Sequence, residues 1–310
     1  MSDDPGVAGP PVDAGDAVRA INFIGAHGVG LVGDEVGPAT GRPVLLMHGG
    51  GQNRHAWKGT AADLAARGYR VLSLDARGHG DSEWPEEPRY EMEDLAADLE
   101  AVLATLEHPP AVVGASMGGM TSLMAQGRSD RQLFAALVLV DVTPSMEAEG
   151  VLRITGFMMA NPEGFATLDD AADAIAAYNT HRRRSASTDG LRRVLRQTPD
   201  GRWHWKWDAR FMTSKPELAS GDLEAMAARI AHFADEMHRA AGRLEVPTLL
   251  VRGAESDLVS ERSVADFLAA APHADFVEVS RAGHMVAGDQ NDAFTEAVVD
   301  FLERHVPPGA

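Results

Sequence analysis

Short aliphatic runs alternate along this chain with longer segments of helical spacing, and few folds accommodate that rhythm. Residues 43–47, 69–74, 111–113, 133–140, 246–251 and 275–279 are short and rich in apolar side chains, so they read as strands. Residues 61–67, 92–106, 120–126, 263–270 and 289–302 read as helices. In 92–106 the apolar positions 95, 99, 102, 103 and 106 follow the helical period. Near-continuous Val/Leu strands separated by helices predict an α/β fold with a mostly parallel central sheet flanked by helices. The rhythm breaks between about 145 and 243, a stretch rich in Ala, Met and Arg with helical patterning and no comparable strand run. An insertion of that size between two strands predicts a mainly helical cap. The expected organisation is a core domain of 18–143 and 244–310, a cap of 144–243, and a disordered leader of 1–17, small, acidic and Pro/Gly-rich.

One junction in this rhythm carries chemistry. Gly114-Ala115-Ser116-Met117-Gly118-Gly119 joins the strand at 111–113 to the helix at 120–126. A serine at so sharp a turn is held in a strained backbone, and glycines spare the collisions that Cβ atoms would cause. The turn lifts Ser116 Oγ above the sheet. It also sets the Met117 N–H at a helix N-terminus, where a developing oxyanion is stabilised. His48-Gly49-Gly50-Gly51 ends the first core strand, and the Gly50 N–H is the expected second donor. The chain has no cysteine, so a thiolate nucleophile and disulfides are excluded. Covalent catalysis falls to a hydroxyl, carboxylate, amine or imidazole.

A serine hydroxyl needs a base. His284 follows the last strand and precedes the terminal helix, at the sheet edge where ligands bind in open α/β folds. His48 and His79 lie in glycine-rich turns and read as structural hydrogen bonders. The base in turn needs an acid to orient it. Asp257 follows the penultimate strand and gives the chain order Ser116, Asp257, His284; Asp141, at the end of the strand 133–140, and Glu255 compete for the role.

These residues together resemble the α/β-hydrolase superfamily over about residues 18–304. The resemblance rests on His48-Gly49-Gly50-Gly51, on Asp75-Ala76-Arg77-Gly78-His79-Gly80-Asp81-Ser82, on the serine turn, on Asp257 and on Gly283-His284. It implies the α/β-hydrolase fold with the cap inserted after the sixth strand, in the capped epoxide-hydrolase-like, haloperoxidase-like and esterase branch. It also implies that Asp75 and Arg77 tie down their turn. Ser116 stands where epoxide hydrolases and haloalkane dehalogenases carry an aspartate, which excludes their chemistry. Ala115 and Met285 depart from the Asn and Trp frequent in carbon–carbon bond hydrolases of vinylogous diketones. That activity, perhydrolysis, and a catalytically silent ligand-binding role remain alternatives to hydrolysis of a carboxylic ester, lactone or related acyl compound.

Net charge narrows the partners. With 28 Lys and Arg against 46 Asp and Glu, the formal charge is −18, which disfavours nucleic acid. Arginines nonetheless crowd 182–184, 192–193 and 196 within the insertion. The substrate is therefore expected to be a small apolar or moderately anionic acyl compound. Candidate pocket residues are Gly51, Trp57, Phe157, Trp205 and Trp207. Trp203, Trp205 and Trp207 alternate, so an extended segment would point them one way. No metal or organic cofactor is expected, no apolar stretch is long enough to span a membrane, and a cytoplasmic location is the default.

Overall fold

The computed structural model describes residues 18–178, 184, 187–214, 223–280, 283 and 292–309; the leader 1–17 lies outside them. The strands of the main sheet are β1 (Arg19–Ile24), β2 (Gly30–Val36), β3 (Pro43–Met47), β4 (Arg70–Leu74), β5 (Ala111–Ala115) and β6 (Ala136–Val140). Two more follow a long interval, and with the interval's own β7 (Leu195–Gln197) and β8 (Trp203–Trp205) counted they are β9 (Thr248–Gly253) and β10 (Asp275–Val279). The sheet order is β1-β2-β4-β3-β5-β6-β9-β10. The hairpin β1–β2 and the pair β2–β4 are antiparallel, and every pairing from β4 to β10 is parallel. This is the mostly parallel α/β sheet that the alternation predicts, in the α/β-hydrolase arrangement that the resemblance implies.

Successive side chains of a strand face opposite ways, and both faces are covered. Val44 and Leu46 join one core with Val71, Val113 and Val138, against α1 (Lys58–Ala66) and the terminal helix (Asp292–His305). Leu45 and Met47 join the other with Leu72, Val112 and Leu137. That second core is closed by α2 (Met92–Leu103), α3 (Met117–Arg128) and the helix Glu261–Ala270. Val44, Leu45 and Leu46 are all fully buried, each contributing about 1.5–3 kcal/mol.

Between β6 and β9 run α4 (Ala148–Met159), α5 (Leu168–Tyr178), the strands β7 and β8, a short α6 (Arg210–Thr213) and the long α7 (Leu223–Ala241). The segment is mainly helical but contains an antiparallel strand pair, with Leu195 opposite Trp205 and Gln197 opposite Trp203. Three-residue strands are too short to leave an apolar run. The last turns of α7 contribute Met237 and Ala241 to the core around α3. That helix therefore serves both the insertion and the sheet. In chain order the last two helices are α8 (Glu261–Ala270) and α9 (Asp292–His305). Among the described residues no helix is long and apolar enough to cross a membrane.

Candidate active site

The turn from β5 to α3 puts Ser116 at φ 46° and ψ −110°, a left-handed conformation for a residue with a side chain. Strain of this kind costs about 1–3 kcal/mol and persists only where the surroundings over-determine it. They do so here. A Cβ on Gly114 would lie 2.6 Å from Gly119 N, one on Gly118 2.6 Å from the Met47 carbonyl, and one on Gly119 2.5 Å from Val142. The glycines let strand, turn and helix close on one another. Ser116 N–H donates to Val140 O at 3.0 Å, and Ser116 O accepts from Met120 N–H at 3.0 Å. Met117 is the first residue of α3, so its N–H has no acceptor within the helix.

Ser116 faces a cavity of about 390 Å³ between the sheet edge and the inserted segment, a size that suits a small molecule. Gly50, Gly51 and Met117 share its wall. From the insertion come Phe157, Trp205 and Trp207, with Phe211 and Tyr178, which the sequence does not single out. Methionines enter from both sides, among them Met120 from α3 and Met146, Met158 and Met226 from the insertion. Their flexible thioethers adapt to irregular apolar ligands. Glu91 is the one charged side chain among the described lining residues.

Trp57 belongs elsewhere. The turn Arg54–Trp57 rolls its indole under the sheet, where it is fully buried in the core beside α1 and α9, with the Phe294 ring centroid 6.2 Å away. Trp203 also lies outside the cavity. Its backbone pairs with Phe165, and the Arg192 guanidinium stands 4.9 Å over its ring.

The two aspartates at the sheet edge differ in what they already hold. Asp141 is fully buried at φ 48°. Its Oδ1 accepts the Gly253 N–H at 3.0 Å and its Oδ2 the Ser256 hydroxyl at 2.7 Å. Ser256 Oγ in turn accepts the N–H groups of Leu258 and Val259 at 3.2 and 3.1 Å. Asp141 thus organises the turn that presents Asp257. On Asp257, Oδ2 pairs with the Arg153 guanidinium of α4, while Oδ1 is buried with no hydrogen-bond partner among the described residues. The start of α4 is seated on the same turn, with Glu147 N–H donating to Leu258 O at 2.9 Å. Glu255 is exposed. His284 lies outside the described residues.

The stretch 75–82 is a structural knot. Asp75 accepts the N–H groups of Arg54 and Asp81 at 2.6 and 2.9 Å. Arg77 is fully buried and forks onto both Asp98 oxygens at 2.6 and 2.7 Å. Gly80, at φ 59°, has no room for a side chain, since a Cβ would lie 2.0 Å from Asp75 Oδ2.

Several arginines of the insertion are engaged away from the cavity. Arg184 pairs with Asp169 and Asp173. Arg196 stacks 4.0 Å over Trp84. Arg202 donates to the carbonyls of Glu163 and Gly164. Arg182 and Arg183 lie outside the described residues.

Comparison with known proteins agrees with this fold. The family model of the alpha/beta hydrolase fold matches residues 42–289. The esterase Rv0045c of Mycobacterium tuberculosis is 31% identical over 268 residues, which is 84% of this chain and 82% of that protein. A solved structure of that esterase matches with a TM-score of 0.71 at 28% identity, covering 96% of this chain and 94% of the other. The 3-hydroxybutyrate-oligomer hydrolase of Cupriavidus necator is 28% identical over 80% of this chain and 84% of its own length. The structure of E-2-(acetamidomethylene)succinate hydrolase matches in fold, with a TM-score of 0.76 at 22% identity over 93% of this chain and 100% of that one.

Proposed function

The chain belongs to the α/β-hydrolase fold family and is a hydrolase, and from that premise we propose that it cleaves small carboxylic esters through an acyl-enzyme on Ser116. The observation that carries this reading is the strained Ser116 at the floor of an apolar cavity, beside the Gly50 and Met117 amides. Ser116 Oγ attacks the ester carbonyl while His284 accepts its proton. The carbonyl oxygen becomes an oxyanion held by the N–H groups of Gly50 and Met117, each donor worth about 2.7–4 kcal/mol in the transition state. His284 then protonates the leaving alcohol. Water, activated by the same imidazole, releases the acid and regenerates the serine.

Asp257 is the acid in this reading. Its buried Oδ1 lacks a partner among the described residues, the environment of a carboxylate that receives an imidazole N–H. Asp141 has both oxygens committed and serves as the anchor of the Asp257 turn. Residues 144–243 act as the cap. Their apolar side chains exclude water from the acyl-enzyme and give the ester its binding surface. The described lining offers no cation, which favours a neutral substrate over an anionic one.

A panel of p-nitrophenyl esters, lactones and thioesters tests the proposal. The wild-type enzyme is expected to turn over neutral esters and Ser116→Ala to lose that turnover while keeping its circular dichroism. Undiminished turnover by Ser116→Ala sinks the reading.

A further inference from the structure

A buried imidazole with no part in the mechanism above sits between the oxyanion loop and the inserted segment. His79 is fully buried. Its Nδ1–H donates to Arg77 O at 3.0 Å, and its Nε2 accepts the Gly51 N–H at 3.2 Å. The other side of Gly50 is tied in the same manner. Gly49 N–H donates to Gln52 Oε1 at 3.0 Å, and Gly49 O accepts from His48 Nδ1 at 2.8 Å. His48 is itself fixed, its Nε2 accepting the Ala76 N–H at 3.0 Å. Gly50 N–H, between these two engaged amides, has no hydrogen-bond partner among the described residues.

We propose that His79 is a positioning residue for ester cleavage: by accepting the Gly51 N–H it holds the loop so that Gly50 N–H, and not its neighbour, faces the carbonyl on Ser116. The inference deepens the serine-hydrolase reading and rests on it. An amide that turned toward Gln52 or His79 would offer its oxygen side to a developing oxyanion, and the site would lose a donor. The role requires a neutral ring. Burial, reinforced by the neighbouring His48 ring, pushes the His79 imidazole down to about 3. At assay pH its Nε2 lone pair is therefore free to accept. The same ring also registers the seating of the inserted segment. Phe211 packs edge-on to it at 5.1 Å, and His79 pairs through the backbone with Trp207. A Cβ on Gly50 would meet that same Phe211 ring at 3.9 Å. Loss of the insertion's contact and loss of the loop's geometry thus pass through one side chain.

Two substitutions separate the acceptor from the packing. H79F keeps a ring against Phe211 and removes the acceptor; H79Q keeps an acceptor oxygen. Rates are taken per active site, counted by fluorophosphonate titration, so that loss of folded protein does not register as loss of kcat. H79F is expected to lower kcat about 10–100-fold, less than deletion of a donor costs, with KM within about threefold. Affinity for a trifluoromethyl ketone, whose hemiketal carries the oxyanion, should fall in parallel, and H79Q should recover most of both. Unchanged kcat in H79F overturns the proposal, and so does a fall in kcat with ketone affinity intact. If H79F yields no titratable sites, nitrogen-15 NMR of the wild-type histidines decides. The proposal requires the Nδ1–H tautomer at neutral pH, and an Nε2–H tautomer overturns it. Failure of the parent reading looks different, because the wild-type serine itself then takes no label.

Discussion

Ser116 and Asp257 state their roles in different ways. The serine's conformation is written in adjacent residues, because the strand, the turn and the three glycines that permit φ 46° are contiguous. A contiguous motif is legible in sequence. The proposed acid, Asp257, is not contiguous with anything that identifies it. Asp141 and Asp257 are both at the sheet edge, and they differ in burial and in their bonds. Asp141 is committed to Ser256, 115 residues away, and no local pattern records that. The account predicts that Asp257→Asn lowers kcat by about 10⁴-fold with little effect on stability. Asp141→Asn should mainly destabilise the protein, because the buried amide would turn an N–H toward a donor. Steady-state kinetics and urea melts of the two variants check this, and the reverse pattern would exchange the roles.

The buried histidines carry a second residue-scale consequence. Burial lowers the pKa of both His48 and His79, the latter to about 3. An unfolded histidine binds its proton near pH ~6.5. Between that value and about 3 the unfolded chain therefore holds more protons than the folded one, and stability rises with pH. Acidification through this window should remove up to about 1.4 kcal/mol per pH unit through His79. Urea midpoints from pH 6.5 down to 4.5 should fall less steeply in H79Q than in wild type. Equal slopes would show that His79 is not held neutral by the fold.

At the scale of elements, β3 to β6 and β9 were legible because each is a buried run between helical segments, whereas β1 and β2, whose burial alternates along the strand, left no such run. The insertion was less so. Its strands β7 and β8 span three residues each, and only the alternating tryptophans hinted at an extended segment. Trp57 misled for a related reason. Its position after the glycine loop suggested the pocket, but the turn 54–57 sends it to the opposite face of the sheet. Helix α4 shows what sequence patterning misses most, since one of its faces docks on the turn that carries Asp257. A Cβ on Gly150 would lie 2.3 Å from the Asp257 carbonyl oxygen, whereas one on Gly156, in the same helix, would meet nothing within 4 Å. Gly150→Ala should therefore cost about 1–3 kcal/mol and reduce kcat by displacing Asp257. Gly156→Ala should stabilise by about 0.4–1 kcal/mol and leave kcat unchanged. Thermal melts and kinetics of the pair test the seating of α4.

For the molecule as a whole, the charge of −18 conceals a division of labour. Arg184, Arg192, Arg196 and Arg202 of the insertion satisfy carboxylates, carbonyls and aromatic faces, and the described cavity wall is nearly without charge. An ester bearing a carboxylate should react more slowly than its neutral analogue. The gap should narrow with added salt as the protein's field is screened over about 10 Å at 0.1 M. Faster cleavage of the anionic ester would place a cation at the site that the described lining lacks. The central claim, an acyl-enzyme on Ser116, is tested most directly by mass spectrometry after incubation with a fluorophosphonate. The account predicts a single adduct on the peptide containing Ser116 and none on Ser116→Ala. An adduct that persists in that variant, or maps to another residue, would contradict it.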